Sequence, residues 1–161
     1  MLIFDCNSES DLSNWYILDD VVMGGRSSGE FFINDDGHGV FQGTVSLENN
    51  GGFSSVRYQP PSTLDISKHQ KVVIRLRGDG KSYQFRTKSD VNERFSYITT
   101  IKTSGEWEDI EVNLKDMYPS FRGRKLDMPN FPAEQLSEIA FLIGNKKAEG
   151  FKLEIDEISL N

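Results

Sequence analysis

Cysteine is almost absent: Cys6 is the only one in 161 residues. An intramolecular disulfide is therefore impossible, a thiolate zinc site cannot be built, and the chain suits a reducing compartment. Long apolar runs are missing too. No stretch approaches the roughly 18 apolar residues of a membrane-spanning helix, so no membrane insertion is expected. The opening residues MLIFDCNSESDLSNW carry neither a basic segment followed by an apolar run nor an Arg-rich amphipathic stretch. Neither a secretory signal nor a transit peptide is expected, and for a complete chain the cytoplasm is the expected location. Positive charge is in deficit, with a formal net charge of -7. That argues against sequence-independent nucleic-acid binding, which a basic patch drives, and against docking on anionic lipid. Catalytic signatures are lacking as well. There is no His-Glu-x-x-His helix, no Gly-x-Ser-x-Gly elbow, no phosphate loop and no Gly-x-Gly-x-x-Gly. The two histidines, His38 between glycines and His69 in a polar turn, read as surface residues. The expectation is a protein that is not an enzyme and needs no cofactor.

What is present points to an all-β fold. The length fits one domain over residues 1–161, large enough to bury roughly 70% of the surface its unfolded chain exposes. Gly24-Gly25, Gly37-His38-Gly39, Gly51-Gly52 and Gly78-Asp79-Gly80 punctuate short apolar stretches, a spacing typical of strands joined by turns. Val72, Ile74 and Leu76 alternate with Val73, Arg75 and Arg77, and Tyr83, Phe85 and Thr87 alternate with Gln84, Arg86 and Lys88. The period of two predicts strands over 72–77 and 83–88, joined as a hairpin through Gly78-Asp79-Gly80-Lys81. Further strands are predicted over 30–33, 40–47, 53–58, 95–100, 107–113, 138–143 and 151–160. In the last of these, Phe151, Leu153 and Ile155 share one face while Ile158 and Leu160 fall on the other, so a bulge is predicted near Asp156-Glu157. Helical signals are few: one short turn over 132–136, with Pro132 near its start, and one over 8–12. Asp11 to Trp15 reads as a loop with a buried aromatic anchor. About nine strands in this length predict a β-sandwich jelly roll, which closes its edges.

Four groups of residues are candidates for binding. In Asp19-Asp20-Val21-Val22-Met23-Gly24-Gly25-Arg26-Ser27-Ser28-Gly29, paired carboxylates precede a Gly-Gly turn. Asp20 is read either as an acceptor for ligand hydroxyls, with Met23 beside it, or as a corner residue tying down loop amides. Asn49-Asn50-Gly51-Gly52-Phe53 offers Asn50 and flexible backbone, or is simply a hairpin loop. Arg57, Arg75, Arg77 and Arg86 lie inside predicted strands, and Arg122 and Arg124 flank Gly123. Gathered on one concave face they would form a groove for carboxylate or phosphate. Spread over an outer face they would be ordinary exposed ion pairs. Finally, Tyr118 to Arg124 and Met128 to Pro132 form an aromatic, proline-rich excursion that either packs back on the body or presents aromatics to a sugar or a protein. Asp5 and Asp156, near the termini, are weak candidates for a structural calcium site, since hard cations take oxygen ligands.

Taken together these segments resemble the CIA30 family, named for complex I intermediate-associated protein 30. The marks are Asp20-Val21-Val22-Met23-Gly24-Gly25 with Ser27-Ser28-Gly29, then residues 41–53, Arg57, Arg77-Gly78-Asp79-Gly80, Trp107, Phe121-Arg122-Gly123-Arg124, residues 139–144 and residues 150–158. They fall in order and cover nearly the whole chain. The resemblance implies a galactose-binding-domain-like jelly roll and a binding domain that engages a protein partner, as relatives that assist respiratory complex I assembly do. It implies neither a catalytic triad nor an obligatory cofactor. The alternative is a carbohydrate-binding module using a concave sheet face or a loop cleft.

Overall fold

The structure, a computed structural model, describes the backbone of residues 1–161 and every side chain except those of Val22, Met23 and Asn50. Its strands are β1 (Leu2–Asp5), β2 (Trp15–Asp19), β3 (Ser28–Ile33), β4 (Gly39–Val45), β5 (Ser54–Tyr58), β6 (Leu64–Asp65), β7 (Lys71–Arg77), β8 (Ser82–Lys88), β9 (Ser96–Lys102), β10 (Trp107–Asn113), β11 (Tyr118–Phe121), β12 (Arg124–Lys125), β13 (Gln135–Leu136), β14 (Glu138–Ile143) and β15 (Glu149–Leu160). They form two antiparallel sheets laid over one core. One sheet runs β10-β7-β15-β4-β3, with β1 also paired to β15. The other runs β12-β11-β9-β8-β14-β5-β2. A two-residue ladder, β6 with β13, stands apart. This is the jelly-roll sandwich expected from the alternating pattern.

The core forms where inward-facing residues of both sheets meet. Val72, Ile74 and Leu76 of β7 and Phe151, Leu153 and Ile155 of β15 come from one sheet, and Val56, Phe85, Ile139 and Phe141 from the other. A ladder slip between Ile155 and Glu157 lets β15 keep Ile158 and Leu160 in the core. That is the predicted bulge: one extra residue restores the parity of the apolar set. At one end Trp15 starts β2 and packs on Phe4, Phe31 and Tyr58, with ring centroids 4.6–5.2 Å apart.

Three local expectations change. Residues 78–81 do not close a hairpin, because β7 and β8 lie in different sheets. The segment crosses the sandwich, held where Gly80 N–H donates to Thr103 Oγ1 (3.1 Å) and Tyr83 OH and Lys152 N–H donate to Asp79. The 49–52 loop likewise links β4 to β5 across the sheets. Alternation within a strand cannot reveal which sheet the next strand joins. The turns predicted over 132–136 and 8–12 are not helical. Ala133 sits at φ 57° and Gln135–Leu136 joins the small ladder, while the helical turns of the structure are 3₁₀, at Asp20–Met23, Glu48–Asn50 and Leu114–Asp116.

Gly43 fixes how tightly β3 and β4 approach. A Cβ there would lie 2.0 Å from the backbone oxygen of Ser28 on the neighbouring strand. Backbone cannot swing away as a side chain can, so Gly43→Ala is expected to cost about 1–3 kcal/mol, read as a lowered urea midpoint at an unchanged slope.

Candidate functional site

The seven-stranded sheet turns one face to the core and leaves the other open. On the open face the strand register sets side chains in a row. Tyr16 (β2) stands opposite Arg57 (β5), Arg57 opposite Ala140 (β14), and Ala140 opposite Arg86 (β8). Arg86 then stands opposite Ile98 (β9), and Ile98 opposite Tyr118 (β11). Adjacent strands are about 4.8 Å apart, so Arg57 and Arg86 rise from backbone positions about 10 Å apart with only a methyl group between them. Arg57, Arg86, Ile98 and Tyr118 of this row line a cleft of about 790 Å³. Phe53 and Gly52 form one wall, and the β11–β12 turn with Phe121, Arg122 and Gly123 forms another. That turn holds Arg122 and Gly123 at φ 50° and 79°, the left-handed geometry of a tight hairpin, and so carries the Arg122 side chain to the rim. Arg94 and Lys125 complete the basic lining.

The two central arginines differ. Arg57 pairs with Glu138 at 3.3 Å, and both side chains are largely buried. Glu138 also accepts hydrogen bonds from Tyr16 OH (2.9 Å) and Gln59 Nε2 (2.9 Å). Burial and the adjacent carboxylate push the Tyr16 hydroxyl up to about 12. Among the described residues Arg86 pairs directly with no carboxylate, although the charge of Glu138 reaches it. Its one hydrogen bond goes from Nη1 to Gln84 Oε1 at 3.0 Å. Burial, and next the charge of Arg57, push the Arg86 guanidinium down to about 10, so it remains a cation at neutral pH. The Nε atoms of Arg57 and Arg86 are both buried without a hydrogen-bond partner. Burial also lowers Lys88, which donates to the Glu93 carbonyl.

The other sequence candidates lie elsewhere. Arg75 and Arg77 belong to β7 in the opposite sheet, so the strand arginines do not gather on one surface. There Arg77 makes a two-toothed pair with Glu154, Arg75 meets Asp109, and both guanidiniums lie over the Trp107 ring. They read as ion pairs of the outer face, with the His38 ring 4.6 Å from that of the same tryptophan. Arg124 is exposed beside the cleft without lining it. Asp20 is fully buried and bonds inward rather than to a ligand. It accepts from Ser27 N (2.9 Å), Ser27 Oγ, Gly52 N (2.6 Å) and Phe53 N (3.2 Å). Burial opposes its ionisation, but these donors together hold the carboxyl below its ordinary range. Asp20 thereby ties the two glycine loops together and braces the Phe53 wall of the cleft. The side chains of Met23 and Asn50 lie outside the described residues. Asp5 accepts from Asn7, and Asp156 faces His38 and Arg75. Among the described residues no group of three or more His, Cys, Asp or Glu side chains is placed to hold a metal.

The sequence reading missed Glu138, Arg94, Lys125 and Gln84. Glu138 had a signal: it is a lone charge heading the otherwise apolar run Ile139-Ala140-Phe141-Leu142-Ile143, and a charge there needs a partner. The aromatic excursion divides, with Phe131 buried in the core and Tyr118 and Phe121 lining the cleft.

Comparison with known proteins places this geometry. Over 99% of the chain, the structure superimposes with a TM-score of 0.72 on the family 11 carbohydrate-binding module from Clostridium thermocellum in complex with a β-1,3-1,4-mixed-linked tetrasaccharide, at 19% identity and 93% of that chain. An exo-β-agarase gives a TM-score of 0.62 at 13% identity, covering 99% of this chain and 25% of that one. At these identities the likeness is one of fold. In sequence, the chain is 23% identical over 183 residues to the mitochondrial complex I intermediate-associated protein 30 of Drosophila melanogaster, covering 99% of this chain and 62% of that protein's length. Among the described residues no helix is long and apolar enough to cross a membrane. Since that relative is mitochondrial, the expected cytoplasmic location rests on the sequence alone. Residues 4–155 match the sequence profile of the complex I intermediate-associated protein 30 family, and the chain belongs to that family.

Proposed function

We propose that this chain is a non-catalytic binding domain that engages a protein partner through the open face of its seven-stranded sheet, in the manner of an assembly factor. The observation that carries this reading is Arg86, a largely buried guanidinium lining an open cleft, whose nearby carboxylate, Glu138, is engaged by Arg57, Tyr16 and Gln59 instead. A buried cation without a directly paired carboxylate is costly, and a bound partner would supply that pair. Family membership supports an assembly role, since the fly relative carries complex I association in its name. Affinity capture from membranes of the native host tests it. Wild-type protein should recover a respiratory-complex subunit, identified by mass spectrometry, and an Arg86→Gln variant, which leaves the Arg57–Glu138 pair intact, should lose most of it. Arg75→Gln, on the opposite sheet, should retain it. Equal recovery by all three proteins would refute the assignment of this face.

A second reading, a carbohydrate-binding module, draws on the likeness to a module seen with a tetrasaccharide and on Tyr118, Phe121 and Gln84 in the cleft. Titration with the same mixed-linked tetrasaccharide decides it: saturable binding abolished by Tyr118→Ala would favour the glycan over the protein partner.

A further inference from the structure

We propose that the cleft of the seven-stranded sheet is an oxyanion site, and that it takes the side-chain carboxylates of an acidic peptide segment, one of them held between Arg57 and Arg86 above Ala140. This deepens the reading of the cleft as a partner-binding site and rests on it.

Charge comes first. The chain is acidic overall, at -7, yet the described residues lining the cleft include Arg57, Arg86, Arg94, Arg122 and Lys125 and no carboxylate. Such segregation concentrates positive potential in a concavity, where low-dielectric walls strengthen it. Glu138 is the internal counter-ion closest in the ladder, and its oxygens are already engaged. Oε1 accepts from Tyr16 and Gln59, and Oε2 faces Arg57. Arg86 is thus left with one neutral acceptor.

Donor geometry comes second. A guanidinium has five N–H donors, and a carboxylate can accept two from one fork. The Nε of Arg57 and the Nε of Arg86 are buried and unpartnered. Both residues stand directly opposite Ala140, from either side. Ala140 itself is buried and does not reach the cleft lining, which Arg57 and Arg86 supply from either side of it.

Third, two of the three aromatic rings lining the cleft, those of Phe121 and Tyr118, already carry a cation. The Arg122 guanidinium lies 5.2 Å from the centre of the Phe121 ring, and the Lys125 ammonium 5.5 Å from that of Tyr118. Sugar recognition relies on an open ring face for stacking. Here the Phe121 and Tyr118 rings hold cations at the rim instead and leave Phe53 as the one aromatic of the lining without a cation over it, which favours a peptide bearing several carboxylates over a saccharide.

Calorimetric titration with an oligoglutamate peptide tests the proposal, beside inorganic phosphate, oligogalacturonate and the neutral mixed-linked tetrasaccharide. The expected result is saturable binding of oligoglutamate that weakens as salt is raised and falls at least tenfold in Arg86→Gln. Should that variant melt early, Lys125→Glu, at an exposed rim position, is expected to weaken binding severalfold in a folded protein. No binding of oligoglutamate, or binding indifferent to both substitutions, would overturn the proposal. So would phosphate or oligogalacturonate binding more tightly than the peptide. If oligoglutamate fails while partner capture still depends on Arg86, the acidic-peptide assignment falls and the partner site stands. If oligoglutamate binds through Arg86 while capture ignores it, the assignment stands and the partner reading falls.

Discussion

Asp20→Ala is expected to destabilise the fold by about 3–4 kcal/mol, more than any other loop substitution. The carboxylate has no exposed surface and collects donors from two loops separated in sequence by more than twenty residues. Truncation leaves the amides of Ser27, Gly52 and Phe53 without their acceptor. Asparagine should be little better. Every group facing the carboxylate is a donor, so an amide would set its own NH₂ against them. The loops also crowd the side chain: a Cβ at Gly25 would lie 2.4 Å from the Asp20 carboxyl carbon, and one at Gly51 2.5 Å from its Oδ2. Acidity provides an independent signature. The folded pKa lies below that of the unfolded chain, about 3.9 for a free aspartate. The stabilisation is therefore complete above that unfolded value and is lost as the pH falls through the folded one. Chemical denaturation of wild type and Asp20→Asn between pH 7 and 2.5 should show a wide gap in stability at neutrality that narrows at the acid end. A gap that stays constant with pH would show that the carboxylate charge is not what holds the loops. Because Phe53 belongs to the cleft wall, the variant should also bind poorly even where it remains folded.

Glu138→Ala is expected to cost about 3 kcal/mol, the scale of removing one partner from a buried ion pair. Arg57, Tyr16 and Gln59 all converge on this carboxylate, and its side chain is only 5% exposed. The same change should act oppositely on function. With its counter-ion gone, Arg57 joins Arg86 as a second uncompensated guanidinium, so affinity for an oxyanion should rise severalfold as the melting temperature falls. Glu138→Gln keeps the acceptors for Tyr16 and Gln59 without the charge and should separate the two effects, with a smaller loss of stability and a similar gain in binding. A variant that lost stability and affinity together would mean that Glu138 shapes the cleft rather than neutralising it.

How much of this was legible beforehand follows from what strands encode. Period-two alternation records which side of a strand is buried, and it located β7, β8, β14 and the bulge of β15 from residues such as Val72, Phe85, Ile139 and Ile158. It does not record which sheet a strand joins. The 78–81 segment, with glycines where a hairpin would want them, was therefore misread as a tight turn when it spans the sandwich. The same ambiguity governs the site. Arg57, Arg75, Arg77 and Arg86 look equivalent in sequence, each polar in an apolar strand. Only sheet membership divides them into a cleft pair and an outer pair matched to Asp109 and Glu154. β1, β2 and β11 were missed because they are four or five residues long, and Trp15 and Tyr118 read more readily as loop anchors than as strand starts. The Asp20 network spans two segments far apart in sequence, and its choice between ligand acceptor and internal tie needed the positions of Gly52 and Phe53.

The twelve residues of β15 pair with β1, β4 and β7 at once. During synthesis at the ribosome, the strands destined to flank them wait with open edges until residues 149–160 emerge. A nascent chain halted before that point would hold two ready-made templates for pairing with another polypeptide. Biogenesis of this domain thus carries an aggregation hazard until β15 is made, and holdase chaperones would have an edge to protect up to that moment.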